Sequence, residues 1–145
     1  MDFNELKNMA SKDAEMDGTE LDIESLRLPQ LHNKYLNILQ DEKLVLRKIM
    51  SEQSKMFKLK WEYYTGKLDK DTLDDLGWEP FQLNILKKDI EIYLKSDKDL
   101  SILQDRLSFQ EVKIQFLEEV LKELNNRHWK IRNAIEWRKF TSGGF

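Results

Sequence analysis

Cysteine is absent from the 145-residue chain, which excludes disulfides and thiol catalysis and agrees with an intracellular setting. Histidine occurs only at His32 and His128, which cannot build a metal cluster with cysteines that do not exist. No apolar run approaches the roughly 20 residues that span a bilayer, and no signal-peptide pattern opens the chain. The expectation is a cytoplasmic protein without a membrane partner. The five glycines form neither a Walker-type loop nor a dinucleotide fingerprint. Asp69, Asp71, Asp74 and Asp75 fail as an EF-hand, because Leu73, Asp74 and Pro80 stand where a polar ligand, a glycine and a glutamate are needed. A Ser/His/Asp triad needs a scaffold that the helical pattern does not suggest. No catalysis, cofactor or metal is expected. A strong excess of basic charge is missing too: the net charge is -3, so any affinity for nucleic acid must come from a local cluster of lysine and arginine.

What is present is helical periodicity. Charged residues make up 35% and apolar residues 40% of the chain, and the apolar ones recur in a helical rhythm, which argues for a helical assembly rather than disorder. Phe3, Leu6, Met9 and Ala10 give a short amphipathic start, followed by a polar break around 13–18. Thr19 with Asp22 resembles a helix-capping signal, and Pro29 either kinks or restarts the helix that follows. That helix is expected to run to about Tyr64 and to stop at Thr65–Gly66. Residues 67–77 read as an acidic loop, Trp78–Glu79–Pro80 as the opening of a helix carrying Phe81, Leu83, Leu86, Ile90 and Tyr93, and Ser96 or Asp97 as the cap of a last helix reaching about Phe140. The end of the chain, from Thr141 to Phe145, is expected to fray. The predicted fold is all-α: long helices in an antiparallel bundle or coiled-coil-like arrangement, forming a single domain with segments 1–66, 67–78 and 79–145.

Along the last helix Leu103, Leu107, Gln110, Ile114, Leu117, Leu121, Leu124, His128, Ile131 and Ile135 are spaced alternately four and three apart, a coiled-coil seam. Phe109, Val112, Phe116 and Val120 form a second stripe beside it. One stripe can pack inside the protomer and the other against a neighbour, so an oligomer is favoured over one large intramolecular bundle. The expected oligomerisation residues are Leu103, Leu107, Ile114, Leu117, Leu121, Leu124, Ile131 and Ile135, with Gln110 and His128 fixing register.

The stretch from Lys55 to Gly66 interleaves Lys55, Lys58 and Lys60 with Trp61, Tyr63 and Tyr64. Cations that meet phosphates beside rings with free π-faces suit single-stranded nucleic acid. An ordinary amphipathic helix end, with solvated lysines and buried rings, fits the same residues. Lys60 separates the two readings. At about 100° per residue it points into the apolar arc, nearly opposite Lys58, so it must snorkel, find a partner or face a groove. The expected nucleic-acid-binding residues are Lys55, Lys58, Lys60, Trp61, Tyr63, Tyr64 and Lys67. A second basic–aromatic cluster, Arg127, Trp129, Lys130, Arg132, Trp137, Arg138 and Lys139, extends that surface, grips an acidic partner, or complements the helix end over buried tryptophans.

Lys58–Leu59–Lys60–Trp61–Glu62–Tyr63–Tyr64–Thr65–Gly66 resembles the signature of the UvsY family of recombination mediators from T-even-type phages, and Ser96–Asp97–Lys98–Asp99–Leu100 resembles the start of that family's last helix. Lys60 stands where the family usually has arginine, losing a bidentate guanidinium, and Trp61 where it usually has leucine. The resemblance implies a ring-shaped homo-oligomer, a hexamer or heptamer, that binds single-stranded DNA. It also implies loading of a phage recombinase onto strands covered by single-strand binding protein, in the host cytoplasm. Within it, Lys58 and Lys60 match the DNA-contacting pair, and oligomerisation falls to the C-terminal helices. A coiled-coil scaffold or adaptor, and an RNA-binding helical module, are the competing readings.

Overall fold

The computed structural model describes residues 1–81 and 83–143. Its helices are α1 (Phe3–Asp13), α2 (Leu21–Tyr64), α3 (Lys70–Leu76), α4 (Ile90–Ser96) and α5 (Lys98–Thr141), with a 3-10 turn at Lys87–Asp89 before α4. No strand occurs among the described residues, so the all-α expectation holds. Backbone contacts divide the chain into two compact units: Met1–Lys43 with the stretch from Val112 onward, and Leu44–Glu111.

In the first unit α1 starts on Asp2, whose carboxylate accepts the Glu5 amide at 3.3 Å. Its far end is tied down by Asp13, which accepts Lys34 Nζ and the Tyr35 hydroxyl, both at 2.7 Å. The Asp13 carbonyl also accepts from Arg127 at 3.0 Å. Phe3 meets Phe116 edge-on at 5.6 Å. Glu42 and Lys113, both buried, pair at 2.9 Å, and Lys113 also donates to the Met1 carbonyl.

In the second unit α2 and α5 run antiparallel, since falling numbers on one meet rising numbers on the other: Lys60 with Asp99 at 2.8 Å, Gln53 with Gln104 at 2.7 Å, Glu52 with Arg106 at 3.2 Å. Ile90, Leu94 and Leu100 form a core cluster there, with Met56, Tyr64 and Ile85 packed against it.

Several local expectations are corrected. Helix α2 does not restart at Pro29 but runs through it as one helix from Leu21 to Tyr64. It is not begun by a Thr19–Asp22 box, because Asp17 takes the amide and hydroxyl of Thr19 at 2.9 and 2.6 Å. The acidic stretch holds α3, capped by Asp69 accepting the Thr72 amide at 2.8 Å and ended by Gly77 at φ 70°. Residues 78–81 and 83–86 form no helix. Glu79 precedes a proline, which disfavours helical backbone, and its carbonyl accepts the Tyr63 hydroxyl at 2.5 Å. Asp97, not Ser96, caps α5, accepting the Leu100 amide at 3.0 Å. The frayed end is helical through Thr141 with a turn at Ser142–Gly143, and Gly144 and Phe145 lie outside the described residues.

The expected oligomerisation seam is covered within the single chain: Leu103, Leu107, Ile114, Leu117, Leu121, Leu124 and Ile131 are buried, and Ile135 alone of that set is exposed. His128 is exposed with Nδ1 2.7 Å from the Asn125 carbonyl, while its neighbour Arg127 is buried. A 3.6-residue helix drifts against a 3.5-residue repeat, so the buried line shifts by one position there. Gln110 keeps its place in the seam.

Candidate nucleic-acid interface

The signature stretch ends α2, and the way α2 ends decides what surrounds it. Gly66 at φ 73° lets the Lys67 amide reach back to the Glu62 carbonyl at 2.8 Å and the Gly66 amide to Tyr63 at 3.2 Å. This is the Schellman arrangement, which needs a left-handed residue. The reversal lays the Lys67 ammonium 4.3 Å from the Trp61 ring centroid. Gly77 repeats the device after α3, with the Trp78 amide on the Leu73 carbonyl at 3.0 Å. Trp78 then returns against α2, 5.2 Å edge-on from Tyr63 and 4.0 Å from the Lys60 ammonium.

Lys60 is the centre of this inner layer. Its side chain is 8% exposed, and Nζ lies 3.2 Å from Asp97 Oδ2 and 2.8 Å from Asp99 Oδ2. Tyr64 donates its hydroxyl to the same Asp97 at 2.6 Å. Asp97 therefore caps α5, accepts from Tyr64 and neutralises Lys60 together. Burial opposes its ionisation, but the Tyr64 hydroxyl, the Leu100 amide and the Lys60 ammonium more than offset that and hold its pKa below the ordinary value. Tyr64 moves the other way: burial first, then its bond to Asp97, push its hydroxyl far above the usual range. Tyr63, Tyr64, Phe81 and Tyr93 meet ring to ring at 5.0–5.8 Å. The Tyr63–Tyr64 pair is thus the packed junction between α2 and the chain before α4.

The outer layer is different. Lys58 is 81% exposed and makes one loose contact, to Glu62 at 3.9 Å; such a pair is worth only about 0.3–0.5 kcal/mol and leaves the cation free to change partner. Lys55 and Lys67 are exposed, and Trp61 is half-exposed. On the helical wheel Trp61 falls between Phe57 and Lys58, and Phe57 is 49% exposed. Of the seven residues expected to meet nucleic acid, Lys55, Lys58, Trp61 and Lys67 are exposed, with Lys67 against Trp61, while Lys60 is buried and Tyr63 and Tyr64 are partly buried. Phe57 was not among the expected residues; its signal is its place one turn before Trp61.

In the second basic–aromatic cluster Arg127 is buried, holding Glu123 at 2.9 Å and the end of α1. Trp129, Trp137 and Phe140 are exposed, against the expectation of buried tryptophans. Among the described residues no group of His, Asp or Glu could hold a metal ion, and no helix is long and apolar enough to cross a membrane.

A profile of the family described as "Recombination, repair and ssDNA binding protein UvsY" matches residues 9–144. The recombination protein uvsY of Enterobacteria phage T4 is 24% identical over 143 residues, 99% of each chain. Crystal structures of the bacteriophage T4 recombination mediator protein UvsY superpose with a TM-score of 0.85 at 23% identity, one covering 97% of this chain and 99% of that one, another 98% of both. That likeness establishes the fold. With the profile match spanning nearly the whole sequence, the chain belongs to the UvsY family of recombination, repair and ssDNA-binding proteins.

Proposed function

We propose that this chain is a non-catalytic recombination mediator that binds single-stranded DNA through Lys55, Lys58, Trp61 and Lys67. In this reading it promotes loading of a phage recombinase onto strands covered by single-strand binding protein. The observation that carries the reading is the Trp61 indole, half-exposed and bracketed by Lys58 on α2 and by Lys67 4.3 Å from its centroid. Cations then meet phosphates while the ring offers a sequence-tolerant stacking face. Lys60, Tyr63 and Tyr64 act one layer below, holding the end of α2 in place rather than meeting the strand.

A single patch of this size binds weakly. A homo-oligomeric ring, a hexamer or heptamer, repeats the patch at fixed spacing, so that one strand engages several copies and modest affinities multiply. The exposed Ile135, Trp137 and Phe140 near the end of α5 are the apolar surface offered for that assembly. A strand drawn across several protomers loses its covering protein and is presented to the recombinase.

The test is a titration of the full chain with single-stranded DNA, duplex DNA and RNA over a salt series, with mass measured by light scattering. The reading expects a multimer that prefers single strands and whose affinity falls steeply with salt. A monomer that ignores oligonucleotides at moderate salt supports a scaffold or adaptor instead, and a preference for RNA an RNA-binding module.

A further inference from the structure

Beside Trp61 the second unit carries an open groove of about 640 Å³, formed between the end of α2 and the chain that leads into α4. This lies within the roughly 300–1,000 Å³ range of small-ligand sites. One wall is Phe57 and Trp61, a single helical turn apart, and the opposite side includes Phe81 and Asn84. Lys67 and Lys87, both exposed, line it as well, with Ile90 and Leu94 supplying buried apolar surface. Phe57 and Trp61 are 49% and 37% exposed, so the unit does not fill the space with its own side chains.

We infer that this groove is a nucleobase site: it receives a base of the bound single strand, stacked on Trp61 and Phe57, while Lys67 and Lys87 take the flanking phosphates. The inference rests on the reading of the chain as a single-strand binder and adds to it where a base goes. Three features favour a base over an apolar peptide. The lining includes the rings of Phe57, Trp61, Tyr64 and Phe81, and aromatic side chains suit a planar π-system. Two lysines line the same cavity, against one carboxylate, Glu91, so the charge balance favours an anionic backbone. The Lys67 ammonium, 4.3 Å from the indole centroid, is within one nucleotide's reach of anything stacked on that ring. Asn84 offers an amide that donates and accepts, so it meets the edge of any base without selecting one.

The experiment compares oligothymidylate with an abasic oligomer of equal length and charge, each titrated by fluorescence anisotropy against the full chain. The native chain is expected to prefer the base-bearing strand by about fivefold or more, the low end of what stacking contributes. Phe57→Ala and Trp61→Ala should each bring that preference towards unity. Lys87→Ala should keep it and lower the salt slope. Circular dichroism checks that each variant folds, and Phe57, half-exposed, keeps the test open if Trp61→Ala does not. Equal binding of the two oligomers by the native chain, or a preference that survives both aromatic substitutions, overturns the nucleobase site while leaving single-strand binding intact. Binding of neither oligomer at moderate salt overturns both.

Discussion

Lys60 and Asp97 join the two sequence motifs of this chain: the ammonium near the end of α2 lies 3.2 Å from the carboxylate that caps α5, and both side chains are buried. Asp99 adds a second contact at 2.8 Å from a side chain that is 47% exposed. The two aspartates should differ sharply in weight. Removing one partner of a buried pair leaves an uncompensated charge and costs about 3–5 kcal/mol, whereas an exposed partner is worth about 0–1 kcal/mol. Lys60→Ala and Asp97→Ala should therefore each lower the unfolding midpoint strongly in denaturant titration, and Asp99→Ala only slightly. Lys60→Arg should keep most of the stability, since a guanidinium can meet both carboxylates.

The same node sets an acid limit. The pKa of Asp97 in the folded chain lies below its ordinary value of 3.8, so its contribution is fully present above about pH 4 and is lost as pH falls through the folded pKa. Asp13, partly buried but bonded by Lys34 and Tyr35, is lowered in the same way and adds to the same limb. Thermal midpoints measured from pH 7 down to pH 2 should fall through this window. Asp97→Asn should start lower and show a shallower fall.

Glu42 and Lys113 give a second buried pair, at 2.9 Å. Glu42→Leu alone should cost about 3–5 kcal/mol by stranding Lys113. The double replacement Glu42→Leu with Lys113→Met should recover most of that loss, because a buried pair exchanged for apolar residues is often neutral or stabilising. A double-mutant cycle in denaturant measures the coupling.

Gly66 stands at φ 73° with open space where a Cβ would go. Gly66→Ala should thus cost about 1 kcal/mol from backbone conformation alone. It should also loosen Lys67 from Trp61, read as a change in indole fluorescence relative to Trp61→Phe controls.

The long helices were legible because their evidence is local and repeated: the seam from Leu103 to Leu124 is buried as a helical stripe should be. Its cover was not legible, since a stripe does not say whether another segment or another copy lies against it. Lys60 was half legible. Its place on the apolar arc showed that it needed a partner, but Asp97 lies 37 positions (97 − 60) along the chain from Lys60, and spacing along a chain does not reveal such a meeting. The segment after Gly77 misled because Phe81, Leu83, Leu86 and Ile90 have helical spacing, yet Tyr63, Tyr64 and Tyr93 claim Phe81 as a ring neighbour and Pro80 restricts the backbone. Tertiary packing decided there, and periodicity did not.

The most direct test of the two-layer site is the salt dependence of single-stranded DNA binding for Lys58→Ala with Lys67→Ala, set beside Lys60→Arg. Surface cations that neutralise phosphates release counterions, so the double variant should bind with a clearly flatter slope of log K against log salt while keeping its native melting midpoint. Lys60→Arg should keep both slope and midpoint. An unchanged slope in the double variant, or a slope altered by Lys60→Arg at unchanged stability, would contradict the division into an outer binding layer and an inner supporting one.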